Sequence, residues 1–213
     1  MSWESFIILF NLNLEVVGEI SWIKLILFFL HFEAKILFST KSNLHLAQRI
    51  IEKSDLNVEF IEIDKNNFAD NLEDVKKKEK FDLNGSDNAL LMYTSGTTGK
   101  PKGAMLTHDN ILNGGKNVLL SHNLDKLDKA LCVLPLYHIN GFIVTVMGPL
   151  VSQSSVVLCE KFSATNFWHQ ISEFKCTWFS IVPTIVSSLI NKYSESEFKL
   201  INTNLVKFGR SAS

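Results

Sequence analysis

The run Tyr93-Thr94-Ser95-Gly96-Thr97-Thr98-Gly99-Lys100-Pro101-Lys102-Gly103 limits what this chain can fold into more than any other stretch, because it holds three glycines, four Ser/Thr hydroxyls and two lysines. Glycines let a backbone come close to an anion, and the hydroxyls and lysines can then contact its oxygens. The run follows Ala89-Leu90-Leu91-Met92-Tyr93, an apolar segment of strand length. The loop is therefore expected to leave the end of a buried strand, where α/β proteins place ligands. Behind it come the short apolar segment Ala104-Met105-Leu106 and then Thr107, which reads as the N-cap of a helix entered at His108-Asp109-Asn110. The whole reads as a nucleoside-triphosphate loop. A Walker A loop has four residues between its glycines and runs Gly-Lys-Ser/Thr straight into a helix. Here two residues separate Gly96 from Gly99, and Pro101 holds Lys100 away from helical geometry, which disfavours that class.

Around the loop, apolar runs of strand length alternate with segments of helical period. Ala34 to Phe38 reads as a strand, Asn43 to Ser54 as a helix with Leu44, Ala47, Ile50 and Ile51 on one face, and Val58 to Ile63 as a strand. Phe68 to Asp87 is charged, with Lys76, Lys77, Lys78 and Lys80 among acids, and reads as a solvated connection. Beyond the loop, strands are expected at Leu131 to Leu134, Val156 to Leu158, Thr177 to Val182 and Leu205 to Phe208. Between them lie a buried helix over Ile139 to Leu150, a helix opened by Ser163 with Phe167, Ile171 and Phe174 at helical spacing, and a helix from Pro183. There are no internal repeats. The pattern predicts an α/β fold, a doubly wound, mostly parallel sheet with helices on both faces.

Composition narrows the function classes. With 46% hydrophobic residues and a formal net charge of -1, the 213-residue chain has enough apolar content for a core and offers no basic stripe to a nucleic acid. Cys132, Cys159 and Cys176 are far apart, lack Cys-x-x-Cys spacing and sit beside the apolar residues of expected strands. They read as reduced, buried thiols in a cytoplasmic protein, and no protein-built metal site is expected. Ile20 to Phe32 is apolar but holds Ser21, Lys24 and His31, and it falls short of the roughly twenty residues that cross a bilayer. A buried helix is expected there rather than a stable membrane span.

The loop is, nearly letter for letter, similar to the signature loop of the adenylate-forming superfamily, which contains the acyl-CoA synthetases. Three further segments resemble that family in its order: Leu134-Pro135-Leu136-Tyr137-His138-Ile139-Asn140-Gly141, like its Pro-Leu-x-His-x-x-Gly; Phe179-Ser180-Ile181-Val182-Pro183-Thr184, like its Val-Pro-Thr turn; and Phe208-Gly209-Arg210-Ser211-Ala212-Ser213, like the start of the strand and loop that pack on adenine. The resemblance implies an ATP-dependent ligase that converts a carboxylic acid to an acyl-adenylate and then to a thioester with coenzyme A, using ATP, Mg2+ and CoA. It implies that Thr94, Ser95, Gly96, Thr97, Thr98, Gly99, Lys100 and Lys102 grip the phosphates. His138, Gly141, Pro183 and Thr184 would border the acyl pocket, and Ser211, Ala212 and Ser213 would start the adenine side. A lone histidine is most often a satisfied core residue. Only the resemblance moves His138 to a cleft, in an orienting role that supports catalysis beside Lys102.

The resemblance runs from about Glu33 to Ser213, so residues 33–213 are expected to form part of the family's N-terminal domain, with residues 1–32 an atypical apolar segment. The family's Tyr-Gly-x-Thr-Glu segment, its ribose-binding aspartate, its hinge and the catalytic lysine of its C-terminal domain have no counterpart in these residues. The expectation is a truncated piece of a larger synthetase that is inactive alone, with no complete catalytic set. A non-catalytic nucleotide-binding module is the alternative, and a membrane-associated protein anchored through Ile20 to Phe32 is a weaker one. Neither the acid nor the oligomeric state is legible.

Overall fold

The computed structural model describes residues 7–9, 36–39, 48, 52, 58–62, 82–94, 102–199 and 201–211. It divides into two compact units, Met1–Lys80 and Phe81–Ser213.

In the first unit, β1 (Ile7–Leu9), β2 (Ile36–Ser39) and β3 (Glu59–Glu62) form a parallel sheet in that order, with Ile36 opposite both Ile7 and Glu59. Strands β2 and β3 fall within a residue or two of their expected places. Strand β1 lies inside the segment the sequence set aside, since an apolar run as short as Phe6 to Phe10 cannot be told from a buried helix segment by periodicity alone. Gln48 and Glu52 are helical and exposed, inside the expected Asn43 to Ser54 helix. The apolar stretch at Ile20 to Phe32 and the lysines at 76–80 lie outside the described residues.

The second unit begins with an antiparallel pair, β4 (Asn88–Thr94) and β5 (Lys102–Thr107), followed by helix α1 (His108–His122). Thr107 caps α1 through a reciprocal pair of bonds, its Oγ1 accepting from Asn110 N at 3.2 Å and its own N–H donating to Asn110 Oδ1 at 3.0 Å. This arrangement satisfies two of the helix's orphan donors, as the sequence led one to expect. Two expectations are corrected. The strand ahead of the loop is half-buried at Ala89 through Met92 and not fully buried, and the apolar segment behind the loop is a strand that pairs back upon it.

The remaining strands form an all-parallel sheet in the order β7 (Ser155–Leu158), β6 (Lys129–Cys132), β8 (Trp178–Ile181), β9 (Phe208–Ser211). Its central strands are buried on both faces, which is why they read as unbroken apolar runs. Alternate residues part the core. Ala130 and Trp178 pack with Val118 and Leu124 beneath α1, and Val144 joins them. Leu131, Phe179 and Ile181 face Phe167 and Ile171 of helix α3 (Phe167–Phe174) and Ile185 and Leu189 of helix α4 (Pro183–Lys192). Helices therefore cover both faces, as a doubly wound sheet requires.

The expected boundaries shift in several places. Strand β6 ends at Cys132, and Val133 and Leu134 stay buried beyond the ladder. Strand β9 starts at Phe208, because the chain turns at Thr203 to Val206, where Val206 N donates to Thr203 O at 2.9 Å. Ser163 makes a turn ahead of α3, and Phe174, expected on the buried face with Phe167 and Ile171, is exposed. Residues Asn140–Met147 are a π-helical segment that passes into the short α-helix α2 (Gly148–Ser152), where a single α-helix was expected. Within this segment Thr145 Oγ1 donates to Gly141 O at 2.6 Å, a side-chain bond back to the carbonyl four residues earlier of the kind that bends helices. A last helix, α5 (Glu195–Lys199), has no buried residue and so left no apolar period to read.

Candidate functional site

The antiparallel pair β4 and β5 brackets the glycine- and hydroxyl-rich run in sequence. Thr94 stands opposite Lys102 and Tyr93 opposite Gly103, so the first hydroxyl residue and the second lysine of the run meet across one ladder rung. Lys102 is exposed. The base of the pair is tied to α1: His108 N donates to Asp87 O at 3.1 Å and Asp109 N to Gly85 O at 2.8 Å. Ser95, Gly96, Thr97, Thr98, Gly99 and Lys100, and Pro101 with them, lie outside the described residues.

A second group assembles at the carboxyl ends of the parallel strands. The connection after β6 leaves through the π-helical segment toward the face covered by α1, whereas the connection after the neighbouring β8 leaves through α4 toward the opposite face. Two adjacent strands whose connections diverge open a crevice between them, where doubly wound proteins bind ligands. His138 and Gly141 lie on the first connection and Pro183 and Thr184 begin the second, so the crevice is flanked by residues the sequence had placed at an acyl pocket. Pro183 takes the first helical position, where its missing N–H costs nothing. Both Pro183 and Thr184 are exposed.

His138 is exposed within the turn Pro135 to Ile139, with its ring 4.6 Å from that of Tyr137. It is therefore not a satisfied core histidine. Its backbone holds the turn, since His138 N donates to Pro135 O at 3.1 Å and Phe142 N donates to His138 O at 3.0 Å. Gly141 makes this tight return possible: a Cβ there would lie 2.3 Å from Pro135 O and 3.0 Å from Leu134 O, far inside contact distance.

Next to it, Asn140 joins three elements. Its Oδ1 accepts from Ser180 Oγ on β8 at 2.9 Å and from Arg210 Nη1 on β9 at 3.3 Å. Ser180 is fully buried and Arg210 half-buried. Ser211 ends β9 in an exposed position, and Ala212 and Ser213 lie outside the described residues. Sequence reasoning passed over Asn140, Ser180 and Arg210, although each stands inside a segment quoted for its resemblance. The available signal was polar residues at strand ends otherwise made of apolar ones.

The thiols stay out of this chemistry. Cys132 and Cys176 are buried, and Cys159, placed just past β7 and not inside a strand, is half-buried. Burial raises all three thiols, with Cys176 pushed up to about 11. Among the described residues no three His, Cys, Asp or Glu side chains cluster as metal ligands. Also among them, no helix is long and apolar enough to cross a membrane.

A doubly wound parallel sheet preceded by an antiparallel strand pair defines an α/β protein of the class that binds ligands at the carboxyl ends of its strands. The comparisons narrow the class: residues 26–207 match the profile of the AMP-binding enzyme family, and the chain belongs to that family. Among curated relatives, sulfoacetate–CoA ligase of Cupriavidus necator is 52% identical over 103 residues, 48% of this chain and 20% of that protein. Oxalate–CoA ligase of Saccharomyces cerevisiae is 38% identical over 113 residues, 53% of this chain and 21% of that protein. The aligned part of the chain thus spans about a fifth of the length of these relatives. Among solved structures, ATP-bound MatB of Rhodopseudomonas palustris superposes with a TM-score of 0.76 over 90% of this chain and 38% of its own, at 23% identity, which shows the shared fold.

Proposed function

We propose that this chain carries the phosphate grip and the acid-side crevice of an ATP-dependent acid–CoA ligase. The β4–β5 pairing supports the reading most, because it sets Thr94 and Lys102, which bracket the glycine- and hydroxyl-rich run in sequence, opposite each other. In this reading Thr94, Ser95, Thr97 and Thr98 donate to the β- and γ-phosphate oxygens, and Gly96 and Gly99 let amides turn inward. Lys100 and Lys102 bear on the leaving pyrophosphate, with Lys102 the stronger contributor because Pro101 stiffens the turn before it. His138, Gly141, Pro183 and Thr184 border the acid, and Ser211 to Ser213 begin the adenine side, within a family domain that we place at residues 33–213.

The chemistry follows from the acid's reluctance to react. A carboxylate repels nucleophiles and has no good leaving group. When its oxygen attacks the α-phosphorus of ATP, the bond to pyrophosphate breaks and an acyl-adenylate forms; the thiol of coenzyme A then attacks the acyl carbon, and AMP leaves. The protein's share is to hold anionic partners together and offset their charge. Magnesium would arrive on the nucleotide's phosphates, and neither it nor coenzyme A is assigned to a residue here. The names of the relatives, sulfoacetate–CoA ligase and oxalate–CoA ligase, support a small acid as the substrate.

Lacking any segment like the family's Tyr-Gly-x-Thr-Glu, these 213 residues are expected to bind ATP without completing turnover. ATP–pyrophosphate exchange over a panel of small acids, run beside an ATP-binding titration, tests this. Saturable binding without exchange supports it, and brisk exchange by the purified chain would overturn the second half of the reading.

A further inference from the structure

Arg210 is a half-buried cation in an unusual position. Among the described residues its guanidinium forms no ion pair, and its hydrogen-bond partner is a neutral amide oxygen, Asn140 Oδ1 at 3.3 Å. That oxygen also accepts from Ser180 Oγ, so the amide is held between two strands and orients the guanidinium without neutralising it. An arginine carries five N–H donors in a planar fork, and a partly desolvated one left without an anion is costly. A neighbouring histidine points the same way. His122, with its ring 5.1 Å from that of Phe208, is held below its ordinary value by burial and then by the positive charge of Arg210. A carboxylate beside Arg210 would have cancelled much of that field.

The position of this charge matters as much as its lack of a partner. Arg210 is in the last strand of the sheet, at the carboxyl edge, joined through Asn140 to the turn that carries His138 and Gly141. We propose that Arg210 is a specificity-determining residue that receives a second anionic group on the acid, carboxylate or sulfonate, so that the crevice prefers short doubly charged acids over singly charged ones. This rests on the reading of the crevice as the acid's site. A bidentate arginine–anion contact is directional and among the stronger hydrogen-bonded pairs, enough to set selectivity between acids of similar size.

The test is calorimetric titration of the 213-residue chain with malonate, sulfoacetate, propionate and monomethyl malonate, each with and without ATP. Malonate and sulfoacetate should bind about tenfold or more tighter than propionate or the half-ester, a preference that R210Q brings to about one and R210K keeps in part. Wild-type protein that binds propionate as tightly as malonate overturns the proposal whatever the variants do, as does an undiminished preference in a folded R210Q. The ATP titration of the wild type separates the two readings. Saturable ATP binding without acid preference defeats only the role of Arg210. Absent ATP binding, with the preference present and lost in R210Q, defeats the phosphate grip and leaves Arg210 as an anion site.

Discussion

The two edges of the parallel sheet handle charge in opposite ways. At the amino edge, Asp128 is buried at 1% exposure and its carboxylate is saturated: Oδ1 accepts from Thr177 Oγ1 at 2.7 Å and Lys207 Nζ at 2.9 Å, and Oδ2 accepts from Asp125 N at 2.9 Å. Burial alone would raise this carboxyl, yet the bonds from Lys207, Asp125 and Thr177 outweigh it and hold it below the usual value. At the carboxyl edge the half-buried Arg210 has a neutral partner, and the turn beside it is exposed from Pro135 to Ile139. A charge closed on itself fastens the ends of β6, β8 and β9 together. A charge left open, where strand connections diverge, is poised for a ligand. Perturbing each edge in turn separates the two roles.

The largest effect is expected at Gly141. Gly141→Ala pushes a methyl into the backbone of Pro135, which cannot yield as a flexible side chain would, and should cost about 3 kcal/mol by chemical denaturation. Asp128→Asn should follow at about 2 kcal/mol, because the hydrogen bonds weaken while the half-exposed Lys207 keeps water as a partner. The sign of its pH dependence is set by the lowered carboxyl. Its stabilisation is complete above the unfolded-state value near 4 and is lost as pH falls through the lower folded-state value, so the variant should lose that part of the acid limb of a stability profile.

Smaller effects sharpen the ligand side. Lys102→Ala should weaken ATP binding by about tenfold in a direct titration, about 1.4 kcal/mol, while leaving the melting temperature close to wild type, since Lys102 is exposed. The smallest expected change is in His122. Arg210→Gln removes the second of the two causes that lower it and leaves burial in place, so its imidazole should titrate at a higher pH by NMR, yet still below a free histidine.

Much of this was legible in the residues. The strands of the parallel sheet announced themselves because burial on both faces leaves apolar runs, and Thr107 announced the start of α1 because a cap needs a hydroxyl with a partner three residues on. The antiparallel pair was not legible. Ala104-Met105-Leu106 is apolar enough for any buried segment, and pairing of β5 back onto β4 is a tertiary fact. The π-helical segment was equally hidden, since Asn140–Met147 has the apolar composition of an ordinary buried helix. The site divided in the same manner. His138, Gly141, Pro183 and Thr184 were assigned to the acyl pocket by resemblance alone, whereas Asn140, Ser180 and Arg210 form a set only because β6, β8 and β9 are neighbours in space.

The division of labour between the two edges is tested most directly by following backbone amides of the 213-residue chain by NMR while ATP and then malonate are added. Lys102 and Gly103 should respond to ATP and Asn140, Gly141, Ser180 and Arg210 to malonate, while Asp128, Thr177 and Lys207 stay in place. Shifts centred on Asp128, Thr177 and Lys207, with the carboxyl edge unmoved, would contradict that division.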